Sequence, residues 1–134
     1  MEVDGETSYL AVWPIDEVAM TPEAFDAACR ALSGVTMDVQ WGADHVYKVG
    51  GKMFAVCGPT AFGVSLKVSD IAFEALVESG AARPAPYLAR AKWVRFDSLT
   101  AQNDAEMADW LANAHALVAA KLTKAARRSL GLAV

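Results

Sequence analysis

Asp44-His-Val-Tyr-Lys-Val-Gly-Gly-Lys-Met-Phe-Ala-Val-Cys57, preceded by Trp41-Gly42, is the stretch that decides the fold. Two β-prone runs, His45–Val49 and Lys52–Cys57, flank Gly50-Gly51. A Gly-Gly pair supplies the positive φ angles that a tight hairpin turn needs. Lys48 and Lys52 bracket the turn, so its tip carries two cations and no acid. Such a finger is either a wing that touches nucleic acid or simply a soluble hairpin.

Upstream of the hairpin, Phe25, Ala28, Cys29 and Leu32 recur at i, i+3, i+4 and i+7, which predicts a helix over 22–33. Thr21 is its N-cap, Pro22 occupies the first helical position, Glu23 complements the dipole, and Gly34 is the stop. Thr36–Trp41 then reads as the first strand. Downstream, Gly58-Pro59 breaks the hairpin's second strand. Gly63–Val68 follows as a fourth strand, in which Val64, Leu66 and Val68 alternate with Ser65 and Lys67. Ser69-Asp70 caps a helix over 70–79 that turns Phe73, Leu76 and Val77 inward and ends at Gly80. Prolines make 80–91 a loop, and Lys92–Asp97 is a fifth strand. Asn103-x-x-Glu106 has the form of a capping box. The helix it opens carries Met107, Trp110, Leu111, Ala114, Leu117 and Val118 to about Leu122, and Lys124–Leu130 reads as a short basic continuation.

The order α-β-β-β-β-α-β-α, with hairpin-length connections, implies an antiparallel meander with helices on one face. That is an α+β two-layer sandwich. Its expected core is Phe25, Cys29, Leu32, Phe54, Val64, Leu66, Leu76, Val94, Phe96, Trp110, Leu111 and Val118. Trp41 and Trp93 are also read as core.

The chain has 134 residues, 54% of them hydrophobic, enough for one domain with a single core. No apolar run approaches the ~18–20 residues that cross a bilayer, and no signal-peptide pattern is seen, so the expected location is cytoplasmic. Cys29 and Cys57 lie far apart in no paired spacing and are expected to be reduced and buried. The net charge of −4 is unevenly placed. Residues 1–20 hold five acids and no base. The remainder holds twelve bases against eleven acids and carries +1. Residues 1–19 therefore read as an acidic N-terminal extension and 20–134 as the domain. Tyr9, Leu10, Val12 and Trp13 are too apolar for a solvated tail and are expected to dock in part.

Catalytic chemistry is hard to find. His45 and His115 are 70 positions apart and are read as structural or surface residues. Asp44, His45 and a cysteine do not make a triad by sequence, since geometry defines triads. Phosphate-binding glycine loops are absent. The two cysteines and two histidines have no zinc spacing, and the first helix offers only Glu23 and Asp26 as surface carboxylates. The expectation is a protein without catalytic activity, cofactor or metal.

Trp41-Gly42-Ala-Asp44, Tyr47-Lys48-Val-Gly-Gly-Lys52-Met-Phe54, Leu66-Lys67, Pro86-Tyr87-Leu88 and Lys92-Trp93-Val94, in that order, resemble the MmcQ/YjbR family over roughly 21–130. The resemblance implies a CyaY-like α/β sandwich, in line with the element order. It also implies DNA binding, the label these proteins generally carry because the fold is similar to a "double wing" module. That label is an analogy of fold.

Two functions compete. In the first, a non-enzymatic DNA-binding protein lays Lys48, Lys52, Lys67, Arg90, Lys92 and Arg95 along the phosphate backbone. In the second, the sheet face and the Arg83–Arg90 loop, made stiff and partly apolar by Pro84, Pro86 and Tyr87, hold a protein or a small anionic ligand. A continuous positive band over the sheet favours the first. A deep apolar pocket under that loop favours the second.

Overall fold

The computed structural model describes residues 19–58 and 63–132. The expected docking of Tyr9–Trp13 and the break at Pro59 lie outside the described residues. The elements are α1 (Pro22–Arg30), β1 (Val35–Gln40), β2 (Asp44–Val49), β3 (Lys52–Cys57), β4 (Val64–Lys67) and α2 (Asp70–Ser79). A two-residue strand β5 (Arg83–Pro84), a 3-10 turn (Ala89–Ala91), β6 (Trp93–Phe96), α3 (Asp104–Ala119) and α4 (Lys124–Ser129) follow. The sheet runs β1-β2-β3-β4-β6-β5, antiparallel throughout. This is the expected sandwich, with β5 and the 3-10 turn added inside the segment read as a loop.

Capping sets the helix starts. The side chains of Thr21, Ser69, Asn103 and Thr123 each accept from a backbone N–H three residues on, at 3.0–3.1 Å. Thr123 makes α4 a separate helix, not a continuation of α3. Gly34, with φ +70°, lies between α1 and β1. At the hairpin, Gly50 has φ +60° and Gly51 φ +78°, and a Cβ on Gly50 would come within 2.7 Å of Leu122. Glycine is needed there twice, for conformation and for close approach.

β2 and β3 pair with a bulge. Tyr47 faces Ala55 and Lys48 faces Met53, so Phe54 is the extra residue. Phe54 and Ala55 are consequently both fully buried in the core, while Met53 and Val56 belong to the other face. The core beneath the helices holds Phe25, Cys29, Tyr47, Phe54, Val64, Leu66, Val94, Phe96, Leu99, Met107 and Leu111. His115 joins it as a structural residue. Its Nε2 lies 2.8 Å from the Ser33 carbonyl, and its ring meets Phe54 edge-on at 5.5 Å. The Tyr47 hydroxyl donates to Asp26 at 2.8 Å, tying the sheet to α1, and Arg30 binds the same carboxylate at 2.9 Å. Burial pulls the Asp26 pKa upward, but these two partners outweigh it and hold the group below its usual value. Both cysteines are free and buried, and burial pushes the Cys57 thiol up to about 11.

Three expected core residues differ. Trp41 is 65% exposed, because the connection Trp41–Ala43 between β1 and β2 holds it in a left-handed turn conformation, φ +50°, outside the strands. Leu32 and Trp110 are half-buried, packed on the margin of the core. Leu111, one position on, takes the central place. Leu111→Ala is therefore expected to cost about 3 kcal/mol in urea unfolding. Trp110→Ala should cost less than Leu111→Ala, and the reverse order would show that α3 is rotated from this description.

Candidate ligand groove on the open sheet face

The face of the sheet opposite the helices is formed by the alternate residues. Register places Val56 beside Ser65, and Ser65 beside Arg95. The 83–92 segment closes one side. Its backbone is tied to β6 by Ala85 N–H to the Trp93 carbonyl at 3.0 Å and by Trp93 N–H to the Leu88 carbonyl at 3.2 Å. Trp93 is buried there, outside the main core cluster.

Between this segment and the β1–β2 connection lies a groove of about 780 Å³. Met53, Val56 and Ser65 line it from the strands, Trp41 and Asp44 from one side, and Pro86, Tyr87 and Leu88 from the other. Arg95 completes it. Its volume falls within the range of small-molecule sites, ~300–1,000 Å³.

The two aromatic residues have an uncommon backbone. Trp41 has φ +50° and Tyr87 φ +67°. A left-handed conformation costs a non-glycine residue roughly 1–2 kcal/mol, and bulky residues rarely adopt it. Yet both side chains are exposed, Tyr87 completely. Neither ring recovers that cost by packing into the core, and strained positions of this kind cluster at binding sites.

Arg95 is held by its neighbours. Arg83 and Arg95 stand opposite each other on β5 and β6. Asp97 bridges them, accepting from Arg83 Nε at 2.9 Å and from Arg95 Nε at 3.1 Å. The Arg83 guanidinium, acting first, and Arg95 keep the Asp97 carboxyl below its ordinary pKa. The Arg95 guanidinium lies against Gly63, where any Cβ would collide with it.

The six cations singled out in the sequence are not gathered into one band. Lys48 pairs with Asp38 at 3.1 Å. Lys67 donates to the Ala91 carbonyl at 2.6 Å, and burial, followed by Lys121, pulls its ammonium pKa down. Lys92 sits over the Phe73 ring, 5.0 Å from its centroid. Arg95 enters the groove, and Lys52, opening β3, and Arg90, in the 3-10 turn, are exposed at separate places. Among the described residues, no three of His, Cys, Asp and Glu come together as a metal site, and no helix is long and apolar enough to cross a membrane. Tyr87 belongs to the Arg83–Arg90 loop that the sequence offers as a recognition loop, whereas Trp41, read as core, was missed as a groove residue. Its signal was the Trp41-Gly42 pair.

A six-stranded antiparallel sheet with helices on one face and a groove on the other defines an α+β two-layer sandwich. The YjbR family profile matches residues 30–117. The chain belongs to the YjbR family, as the sequence motifs implied. The crystal structure of Deinococcus radiodurans protein DR2400, which has a DUF419 domain, is similar over 86% of this chain and 91% of that one. The two share 25% identity, with a TM-score of 0.75. No curated protein matches the chain.

Tyr87 gives a direct test of stored strain. Asparagine tolerates the left-handed region, and a fully exposed ring loses no packing when removed. Tyr87→Asn should stabilise the protein by about 0.5–1 kcal/mol, read from urea unfolding. A loss of stability would mean that the ring itself holds the 83–92 segment in place.

Proposed function

We propose that this protein is a non-enzymatic binding module whose groove on the open sheet face takes a small organic molecule with a flat apolar body. The observation that carries this reading is the pair of exposed aromatics, Trp41 and Tyr87, each in a left-handed conformation on either side of an apolar floor. The floor of Met53 and Val56 supplies hydrophobic contact, and the rings supply stacking faces. Among the described residues that line the groove, none is a histidine or cysteine. Asp44 and Arg95 fit recognition better than acid–base catalysis, since neither hydrogen-bonds a serine, threonine or cysteine side chain among the described residues.

The test is amide NMR of the full chain titrated with 2-naphthalenemethanol, a neutral bicyclic probe. Met53, Val56, Ser65 and the Trp41 indole should shift together, and Trp41→Ala should weaken binding by roughly tenfold, the effect of losing a well-placed aromatic contact. Shifts confined to the helices would remove the groove from consideration.

DNA binding by the hairpin is the second reading. It is favoured by the exposure of Lys52 beside Gly50-Gly51 at the tip. Against it stand the net charge of −4 and the ion pair that engages Lys48. The groove reading expects no association with a random duplex by fluorescence anisotropy at low salt. Binding whose log K against log salt becomes shallower by up to about 1.8 on replacing Lys48 and Lys52 with alanine would establish the wing instead.

A further inference from the structure

We infer, resting on the groove reading above, that the ligand is a planar aromatic monoacid whose carboxylate is received by the Nη groups of Arg95. Arg83 and Arg95 stand directly opposite on neighbouring strands, an arrangement that repels unless a counter-charge intervenes. Asp97 intervenes, but one carboxylate between two guanidiniums leaves a net +1 at this end of the groove. Asp97 takes the Nε side of Arg95. Among the described residues, no hydrogen bond engages its Nη groups.

Those groups lie against the backbone at Gly63, a groove residue whose missing side chain makes room for them. The guanidinium thus lines the groove with Nη groups that make no hydrogen bond to the described residues. A carboxylate is the anion that such a planar donor edge fits best.

The body of the ligand follows from the floor. Val56 on β3 and Arg95 on β6 are separated by one intervening strand, β4. Two inter-strand spacings amount to about 10 Å, close to the long dimension of a fused bicyclic acid. Asp44, on the wall with Trp41, disfavours a second negative charge at the far end. This selects a monoacid over a dicarboxylate or a polyphosphate.

The experiment compares 2-naphthoate with 2-naphthalenemethanol, matched in ring and differing in charge. Each is titrated into the full chain by NMR and calorimetry at low salt. Naphthoate should bind about tenfold or more tightly than the alcohol, as expected for a charge-assisted contact. Arg95→Gln should reduce naphthoate affinity to about that of the alcohol and alter the alcohol's affinity far less. Gly63→Ala, which displaces the guanidinium, should lower naphthoate affinity in the same selective way. Should Arg95→Gln melt far below the wild type, Arg95→Lys supplies the comparison, with charge kept and the planar donor edge lost. It is then expected to lie between wild type and the alcohol's level.

Equal affinity for the two probes, both weakened by Trp41→Ala, would overturn the acid assignment and leave the groove standing. Naphthoate affinity unmoved by the Arg95 and Gly63 variants would do the same. Failure of both probes to shift any groove residue at millimolar concentration would overturn the groove reading as well.

Discussion

One extra residue in β3 governs which way both faces of the sheet look. Strict alternation from Lys52 to Cys57 would send Phe54 and Val56 to one side and Met53, Ala55 and Cys57 to the other. The bulge opposite Tyr47 and Lys48 instead turns Phe54 and Ala55 inward together. Phe54 then meets the His115 ring from α3, and Tyr47 reaches Asp26 on α1, so both main helix contacts are anchored at this irregularity. Met53 and Val56 are left on the open face, where they become the apolar floor of the groove. Core and candidate site are therefore two consequences of the same local geometry, and a one-residue slip here would exchange them.

Two glycines permit close approaches that the same arrangement requires. Gly50 allows the hairpin turn to pass against Leu122 just beyond α3. Gly63 allows the Arg95 guanidinium to lie on the backbone entering β4. The first is a matter of packing, because Leu122 belongs to the core. The second shapes the open face, because Arg95 contributes the cation of the groove. A side chain at either position would have to move a neighbour, at different ends of the sheet and with different consequences.

Element order was legible in the sequence because the signals were local and agreed with one another. Thr21-Pro22, Ser69-Asp70 and Asn103-x-x-Glu106 each marked a helix start that the structure keeps. Gly50-Gly51 marked the turn. What was hidden was the direction of particular side chains. Lys52–Cys57 is mostly apolar beyond its lysine, so periodicity has no polar residues with which to reveal a bulge. Trp41 read as core because tryptophan at a strand end usually is; its exposure follows from a left-handed turn conformation that its sequence does not require. Trp110 and Leu111 are adjacent on α3, and a helical stripe does not say which of two neighbours sits at its centre. The groove itself joins residues 41 and 95, brought together only by the sheet order.

The balance of charge on the open side supports the proposal of a compact ligand over a polymer of phosphates. A phosphate track requires several cations in register, each able to exchange its counterion. Here Lys48 answers Asp38, the Arg83–Arg95 pair shares Asp97, and Lys67 and Lys92 are drawn toward a carbonyl and a ring. Most of the basic residues thereby hold the sheet and its loop together and are not arrayed toward solvent. The concentration of donors at Arg95 is the exception, and it lies beside the apolar floor and two strained aromatics. Conformational cost, hydrophobic surface and residual positive charge thus converge within one groove. Recognition there would rest on shape and a single ionic contact, with little contribution from the long-range field of the whole chain.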